Sequence, residues 1–424
     1  MAKVMRLERR RLDVDQLQLG MFVCELDRPW ESTDFMFQGF LLDDRATLEA
    51  VRECCRHVYV DDFRQVEMPA VTVVSTAQSD LPAVPLRDEI APAERSHARS
   101  AALVDDVFAA VRIGRGIDAR ACREVVQQSL DSLLRNESAL LWLSRIRSVD
   151  AYTSQHCLAV SVMAMGFGRH LGLERAALEE LGIAGLLHDV GKIGLDQSIL
   201  NKPGRLEPDE FEHVKSHAQL GYWMLRGSAG MAVAVLDAAH GHHERLDGQG
   251  YPQRLDETQI SQPTRIISIV DCFDAITSHR VYDAARTVKE AFQILMDLRG
   301  SHFDTSLVVR FIEWLGIFPV GTLVELHTGE VALVLEKHPR WQLRPKVVVL
   351  LDEQGRRCTP RLIDLAKVSA DGLSQPYRIT VGLADGERGL SMADPQLQAL
   401  LASRELLAEL EDQPISDDPA QGQR

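Results

Sequence analysis

Apolar residues recur at helical spacing through the middle of the chain and at strand spacing towards its two ends. The helical period predicts helices near 101 to 112, 118 to 135 and 137 to 147. It continues from about Ala151 to Leu171, Ala176 to His188, Glu207 to Leu225 and Val233 to Ala239, from near Thr264, and from Leu307 to Leu315. Several apolar stripes carry a polar intruder. His156 shares a face with Val160, Met163 and Phe167. Leu178, Leu181 and Ala184 lead to Leu187 or His188, and His217 lies beside Phe211, Val214, Ala218, Gly221 and Leu225. In the helix from Thr264, Asp271 stands among Ile266, Ile269, Val270 and Phe273, with Asp274 one turn on. An ionised carboxylate in such a run is costly unless something cationic pairs with it, and a metal would do so.

The same reading divides the chain. Residues 1–66 read as a small α+β domain, with β-like runs Met21–Cys24 and Val58–Val60 and a helical segment from Asp44 to Arg56. The rings between Trp30 and Phe40 either fill its small core or form a ligand or partner surface. Proline, alanine, serine and charge make 67–100 a linker, and 101–148 holds connecting helices. The main helical bundle occupies 149–315. A small β-rich unit follows over 316–394, with strands Leu323–Leu326, Val331–Leu335 and Lys346–Leu351, and 395–424 offers one helical segment, Leu397 to Leu410, before an acidic, disordered end. The fold class is therefore mainly α, flanked by smaller mixed and β units.

Composition narrows the function. At 424 residues and 45% hydrophobic content the chain is globular and exceeds one core. Its net charge of −15 argues against binding DNA or RNA polymers or an anionic membrane, so an anionic ligand needs local positive charge such as bound metal. Seven cysteines, Cys24, Cys54, Cys55, Cys122, Cys157, Cys272 and Cys358, show no disulfide or metal spacing, which fits a reducing compartment. The longest uncharged run, Cys157 to Gly168, is too short to span a bilayer. The expectation is a cytoplasmic protein without membrane insertion.

Two dense clusters carry the chemistry. One is Gly185-Leu-Leu-His188-Asp189-Val-Gly-Lys192, where an apolar helix delivers His and Asp together and stops at Gly191. The other is His240-Gly-His242-His243-Glu-Arg-Leu-Asp247-Gly-Gln-Gly250-Tyr251-Pro252, a histidine pair followed by a glycine-rich loop. A single inward histidine is ordinarily a hydrogen-bonded core residue, and a lone His-Asp pair is common. Together, five inward histidines (156, 188, 217, 242 and 243) with Asp189 and Asp271 make an N/O ligand set in which Asp189 can bridge two ions. Imidazole and carboxylate without thiolate favour iron or manganese, with zinc or nickel possible in vitro. Two such divalent ions would clamp a phosphodiester and generate hydroxide at neutral pH.

These residues, with Lys215-Ser-His217 and Arg265-Ile-Ile-Ser-Ile-Val-Asp271-Cys-Phe-Asp274-Ala, resemble the HD-GYP domain over about Val149 to Leu315. It is a subgroup of the HD metal-dependent phosphohydrolases that hydrolyses bacterial cyclic di-GMP. Gly20-Met21, Leu26-Asp27, Trp30 and Gln38-Gly39-Phe40 resemble the small domain often found ahead of it. The resemblance implies an HD-type helical bundle with His156, His188 and Asp271 at one metal, His217, His242 and His243 at the other, and Asp189 between them. It implies that Lys192 stabilises charge developing on the scissile phosphate. Asp247, Gly250, Tyr251 and Pro252 would line the substrate site, and the Gly-Tyr-Pro loop would also contact diguanylate cyclase domains. The loop equally reads as a turn that covers the core. Past Asp271, Thr277-Ser-His-Arg280-Val-Tyr-Asp283 departs from the common Arg-Pro-Tyr-Arg pattern. Arg280 can still pair with a phosphate, but Asp283 stands where the pattern has its second arginine.

Some members of the family hold a third ion through a glutamate one helical turn before the first ligand histidine. Here that position is Tyr152, a poor ligand at neutral pH, and Asp150 lies on another face. The expectation is a two-metal site releasing mainly linear pGpG, with slow onward cutting to GMP. Two other readings share these residues: a phosphohydrolase for another cyclic dinucleotide or nucleotide, and a weakly active adaptor that binds a partner through the loop.

Overall fold

The computed structural model describes residues 3–19, 21–28, 33, 40–42, 45–67, 83–145, 152–200, 202, 204–278, 285–338, 341, 343–366, 369–370, 375–392, 394 and 397. The chain opens with β1 (Lys3–Asp13), β2 (Phe22–Leu26), β3 (Phe40–Leu41), α1 (Arg45–Cys54) and β4 (His57–Glu67). The strands form an antiparallel sheet in the order β1-β4-β2-β3. Helix α1 buries Leu48 and Val51 in a cluster with Leu12, Val23 and Val58. The period does not reveal β1, because an edge strand as charged as Lys3–Asp13 need not alternate apolar and polar positions. Gly20, Trp30, Gln38 and Gly39 lie outside the described residues.

The linker expected over 67–100 is overturned from residue 86 onward. Helix α2 (Leu86–Arg112) runs through that stretch and continues unbroken across 101–112. Its buried positions Leu86, Ile90, Ala93, Ser96, Ser100, Val104 and Val107 keep the helical period, but alanine and serine give it a weak hydrophobic signal. Pro92 lies inside the helix, where proline removes one ladder hydrogen bond and reads from sequence as a breaker. Tertiary contacts hold α2 in place. The buried carboxylate of Glu89 accepts from Ser132 Oγ at 2.6 Å and from Arg135 Nε and Nη2 at 2.7 Å each.

The bundle continues with α3 (Ala119–Arg135), α4 (Glu137–Leu143), α5 (Tyr152–His170), α6 (Arg175–Leu187), a 3₁₀ turn (Val190–Gly194) and α7 (Gln197–Leu200). Helices α8 (Pro208–Arg226), α9 (Val233–Gly241), α10 (Gln262–Thr277), α11 (Val288–Leu298) and α12 (Thr305–Leu315) complete it. Local chemistry sets several starts. Asp118 and Asn136 accept from the first free N–H groups of α3 and α4, Thr287 and Glu290 cap α11 reciprocally, and Asp304 caps α12. Helix α5 packs on α6, and α9 lies against α6, α8 and α10, so the ends of these helices converge. Among the described residues no helix is long and apolar enough to cross a membrane.

After α12 come β5 (Leu323–Leu326), β6 (Val331–Glu336), β7 (Lys346–Leu351), β8 (Arg357–Asp364), β9 (Ser369–Ala370), β10 (Gln375–Pro376) and β11 (Ile379–Leu383). Five of them form an antiparallel sheet in the order β11-β5-β6-β7-β8. The apolar runs of β6 and β7 are buried on both faces. Val331, Leu333, Leu335, Val348 and Leu350 join the core of the bundle, whereas Ala332, Val334, Val347 and Val349 form a second core with Ile363 and Tyr377. The three strands expected from sequence are present; β8 and β11 carry exposed and half-buried positions that mute their signal. The helical segment expected from Leu397 to Leu410 and the end beyond it lie outside the described residues apart from 397.

Removing Arg135 would strand the Glu89 carboxylate between α2 and α3. Because Arg135 keeps some contact with water, we expect Arg135→Ala to cost about 2–3 kcal/mol, below the full cost of a stranded buried charge. The loss is read as a lower urea midpoint; an unchanged midpoint would show that the pair does not fasten α2.

Candidate metal centre

The seven residues of the candidate ligand set reach the same point from five helices. His156 comes from α5, His188 and Asp189 from the end of α6, His217 from α8, His242 and His243 from the end of α9, and Asp271 from α10. Gly191, just after the His-Asp pair, makes this convergence possible. A Cβ at Gly191 would lie 1.9 Å from the His217 carbonyl oxygen, so only glycine lets the 3₁₀ turn press against α8.

Four of the five rings have a fixed orientation. Nδ1 of His188, His217 and His242 is held by the carbonyls of Gly185, Val214 and Ala238 at 2.8, 2.6 and 3.0 Å, and Nδ1 of His156 by Asp274 Oδ2 at 2.7 Å. A neutral imidazole that donates from Nδ1 carries its lone pair on Nε2, and these Nε2 atoms face inward. His217 Nε2 and His242 Nε2 stand 3.3 Å apart, two acceptors that repel unless a proton or a cation joins them.

Asp189 lies between two groups of ligands. Its Oδ2 is 3.4 Å from His188 Nε2 and 3.8 Å from His156 Nε2, while its Oδ1 is 3.5 Å from His217 Nε2 and 3.7 Å from His242 Nε2. Asp271 Oδ1 completes the first group, 3.0 Å from His156 Nε2 and 3.7 Å from His188 Nε2. Donor atoms of His156, His188 and Asp271, of His217, His242 and His243, and of His188, Asp189 and His242 each lie within 4.8 Å of one another. His188 Nε2 and Asp189 Oδ1 are buried without a hydrogen-bond partner in the protein. Orphaned lone pairs aimed at one point suit cations, so the residues present fit a metal centre.

The two halves differ in charge. Burial disfavours the charged form of His188, but Asp189 and Asp271 outweigh it and hold its pKa at about 10. Burial pushes His217 down to about 4, with Asp189 opposing, and pushes His243 well below its usual range. Burial works against ionisation of Asp189 and Asp271 too, yet Lys192 and His188 at the former, and His156 and His188 at the latter, keep both carboxylates ionised. One half mixes imidazoles with carboxylates, and the other is an all-nitrogen set.

Lys192 sits on the 3₁₀ turn with its ammonium on Asp189 Oδ2 and part of its side chain exposed. The glycine-rich loop folds over the second group. Tyr251 stacks on His243 with centroids 4.7 Å apart, and its amide donates to the His243 carbonyl at 3.2 Å. Lys215 Nζ lies 5.5 Å from the Tyr251 ring. Gly250 is buried against the backbone of Glu244 and Arg245. Pro252 follows through a cis peptide bond. Asp247 is exposed and pairs with Arg245 and the Gln249 amide, so its carboxylate serves the loop itself. Arg280, Val281 and Asp283 lie outside the described residues, as do Asp150 and the side chain of Tyr152.

Two site residues escape the sequence reading. Asp274 is not a free carboxylate awaiting a cation: it orients His156, and its spacing of three from Asp271 on one helix is the signal that could have assigned that role. Glu244 is buried and accepts the amides of Gln253, Arg254 and Leu255 at 2.6, 3.1 and 3.0 Å, so it fixes the exit of the Gly-Tyr-Pro loop. No local pattern distinguishes it from a solvated acid.

Comparison with known proteins agrees with this geometry. A family model described as HD domain matches residues 122–307, one described as a domain of unknown function (DUF3391) matches 9–122, and one described as a KOW domain associated with HD domain matches 323–370. A cyclic di-GMP phosphodiesterase of Pseudomonas aeruginosa is 37% identical over 370 residues, which cover 84% of this chain and 89% of that protein. A cyclic di-GMP phosphodiesterase of Thermotoga maritima is 32% identical over 195 residues, 46% of this chain and 52% of that one. A 3'3'-cGAMP-specific phosphodiesterase of Vibrio cholerae is 34% identical over 157 residues, 37% of this chain and 36% of that one. With a relative of this identity aligned along nearly its whole length, and with an HD domain carrying the Gly-Tyr-Pro loop, the chain belongs to the HD-GYP family of HD-domain phosphodiesterases.

Proposed function

We propose that this chain hydrolyses cyclic di-GMP to linear pGpG at a dinuclear metal centre. The observation that carries this reading is the division of Asp189 between two ligand groups, Oδ2 towards His156 and His188 and Oδ1 towards His217 and His242. The near full-length relative is a cyclic di-GMP phosphodiesterase, which supports the choice of substrate. His156, His188 and Asp271 would hold one ion and His217, His242 and His243 the other, with Asp189 available to both. Iron or manganese suits these donors best, with zinc or nickel able to substitute in vitro. When bound, two such ions supply Lewis-acid charge to the phosphodiester and lower the pKa of water.

The chain supplies the rest. Lys192 places a cation at the partly open side of the site, where it meets negative charge building on the scissile phosphate. Asp274 and the three backbone carbonyls fix which nitrogen of each ring faces inward. Tyr251, locked on His243, walls the second half of the site, and Arg280 adds a phosphate contact. The outer face of the same loop, with exposed Asp247, Gln249 and Gln253, is the surface offered to a diguanylate cyclase domain. A reducing, cytoplasmic setting agrees with the free thiols of Cys54, Cys55, Cys122, Cys157, Cys272 and Cys358.

Asp274→Asn keeps the side-chain shape and removes the charge behind His156. It should weaken metal binding by about 10- to 100-fold, measured by competition with a chelator of known affinity. Equal affinity in both proteins would mean that Asp274 serves the fold alone.

Lys192→Ala should keep its metal and lose roughly 100-fold or more in kcat. Loss of metal together with rate would instead make the lysine a support of Asp189.

Metal count and product test the whole reading. Protein prepared anaerobically should hold two ions per chain and convert cyclic di-GMP to pGpG, with GMP appearing slowly, in a chromatographic time course run beside other cyclic dinucleotides. Tyr152 in place of the glutamate underlies the count of two. Three ions, or GMP as the dominant early product, would refute the two-metal site; faster turnover of a mixed guanine-adenine dinucleotide would move the chain to the specificity of its Vibrio cholerae relative.

A further inference from the structure

Helix α8 carries two side chains beside the metal centre, Phe211 and Lys215. They stand four residues apart and so share a face of the helix. Lys215 Nζ lies 4.7 Å from the centre of the Phe211 ring and 5.5 Å from the centre of the Tyr251 ring. Tyr251 in turn stacks on His243, one of the candidate ligands. A line of two aromatic rings with an ammonium between them therefore runs outward from the second ligand group.

The outer ring is open yet fixed. Phe211 is 46% exposed, and a single exposed apolar side chain is ordinary on any surface. Its surroundings make it more than that. The Phe211 amide donates to the Glu207 carbonyl at 2.9 Å in the first turn of α8, where Glu207 and Glu210 cap the helix reciprocally. Lys202 grips Glu210 through both carboxylate oxygens at 2.8 and 2.6 Å. The turn that carries the ring is thus braced before any ligand arrives.

Lys215 has donors to spare. Its ammonium has three N–H groups, and Glu212 Oε1 accepts from it at 2.6 Å. The Glu212 side chain is 69% exposed, and an ion pair so open to water holds its lysine weakly. The other two N–H groups are left for an acceptor that comes in over Tyr251.

A ring face beside an ammonium matches a nucleobase beside a phosphate. A cyclic dinucleotide offers two of each, and the metal ions with Lys192 engage only the phosphate that is cut. Contacts to the rest of the molecule seat the reacting phosphate. We propose that Phe211 and Lys215 form the subsite for the non-reacting part of the substrate: Phe211 stacks one base, and Lys215 bonds the second phosphate. This inference rests on the function proposed above. Stacking accepts either purine, so the subsite selects cyclic dinucleotides as a class and leaves the choice between guanine and adenine to other residues.

The test is steady-state hydrolysis of cyclic di-GMP by the manganese-loaded full chain and four variants, with bound metal measured in each. Phe211→Leu keeps an apolar side chain and removes the ring face; it should raise KM about five- to tenfold with kcat little changed, and Phe211→Tyr should restore the wild-type KM. Lys215→Gln should raise KM about fivefold or more and flatten its rise with salt, whereas Lys215→Arg should keep both. All five proteins should hold the same amount of metal. Wild-type turnover with KM unmoved in Phe211→Leu and Lys215→Gln would overturn this inference alone. So would equal losses in Phe211→Leu and Phe211→Tyr accompanied by loss of metal, because the ring would then be scaffold. A wild type that does not turn over cyclic di-GMP would overturn the functional reading and this subsite with it.

Discussion

Asp189 is where the structure is most constrained. Four imidazole nitrogens surround one buried carboxylate at 3.4 to 3.8 Å, and each ring is oriented by its own backbone or carboxylate partner on the side away from it. Lone pairs gathered so closely repel one another in a low-dielectric interior unless protons or cations come between them, and the lysine ammonium on Oδ2 meets only part of that need. The bundle has to hold the arrangement against that repulsion. It does so with close backbone approaches such as Gly191 on α8 and with apolar stripes whose burial is insensitive to the charges at their ends.

The same constraint explains which parts could be read from sequence. Polar residues at helix ends or within buried faces interrupt strong apolar periods, so His156, His188, Asp189, His217, His242, His243 and Asp271 stand out against a regular background, and the structure brings all seven together. The supporting residues do not interrupt anything. Asp274 looks like another acid in the same run, and Glu244 looks like a surface acid beside a turn, because their partners are a ring and three amides brought in by tertiary folding. The first half of α2 was hidden for a different reason: Ala91, Ala93, Ser96 and Ser100 dilute its buried face, and its proline suggests a break that packing on α3 overrides. Strand β1 shows the opposite case, an edge strand so charged that its pairing with β4 leaves no mark in the pattern.

The two halves of the centre are chemically unequal. His156, His188 and Asp271 face two carboxylates, counting Asp189, and the charge there is strong enough to keep His188 protonated in the absence of a competing cation. His217, His242 and His243 offer nitrogen alone, with Tyr251 stacked on the last of them.

The C-terminal sheet lies outside the stretch that carries the site residues. The alternation along β6 and β7 still joins it to the bundle: every second side chain, Val331, Leu333, Leu335, Val348 and Leu350 among them, completes the core of the bundle. A chain that stopped after Leu315 would leave that surface open to water and to neighbouring copies of itself. The smallest piece able to fold is therefore larger than the piece that reacts, and the boundary of the HD match at residue 307 is a boundary of ancestry, not of stability.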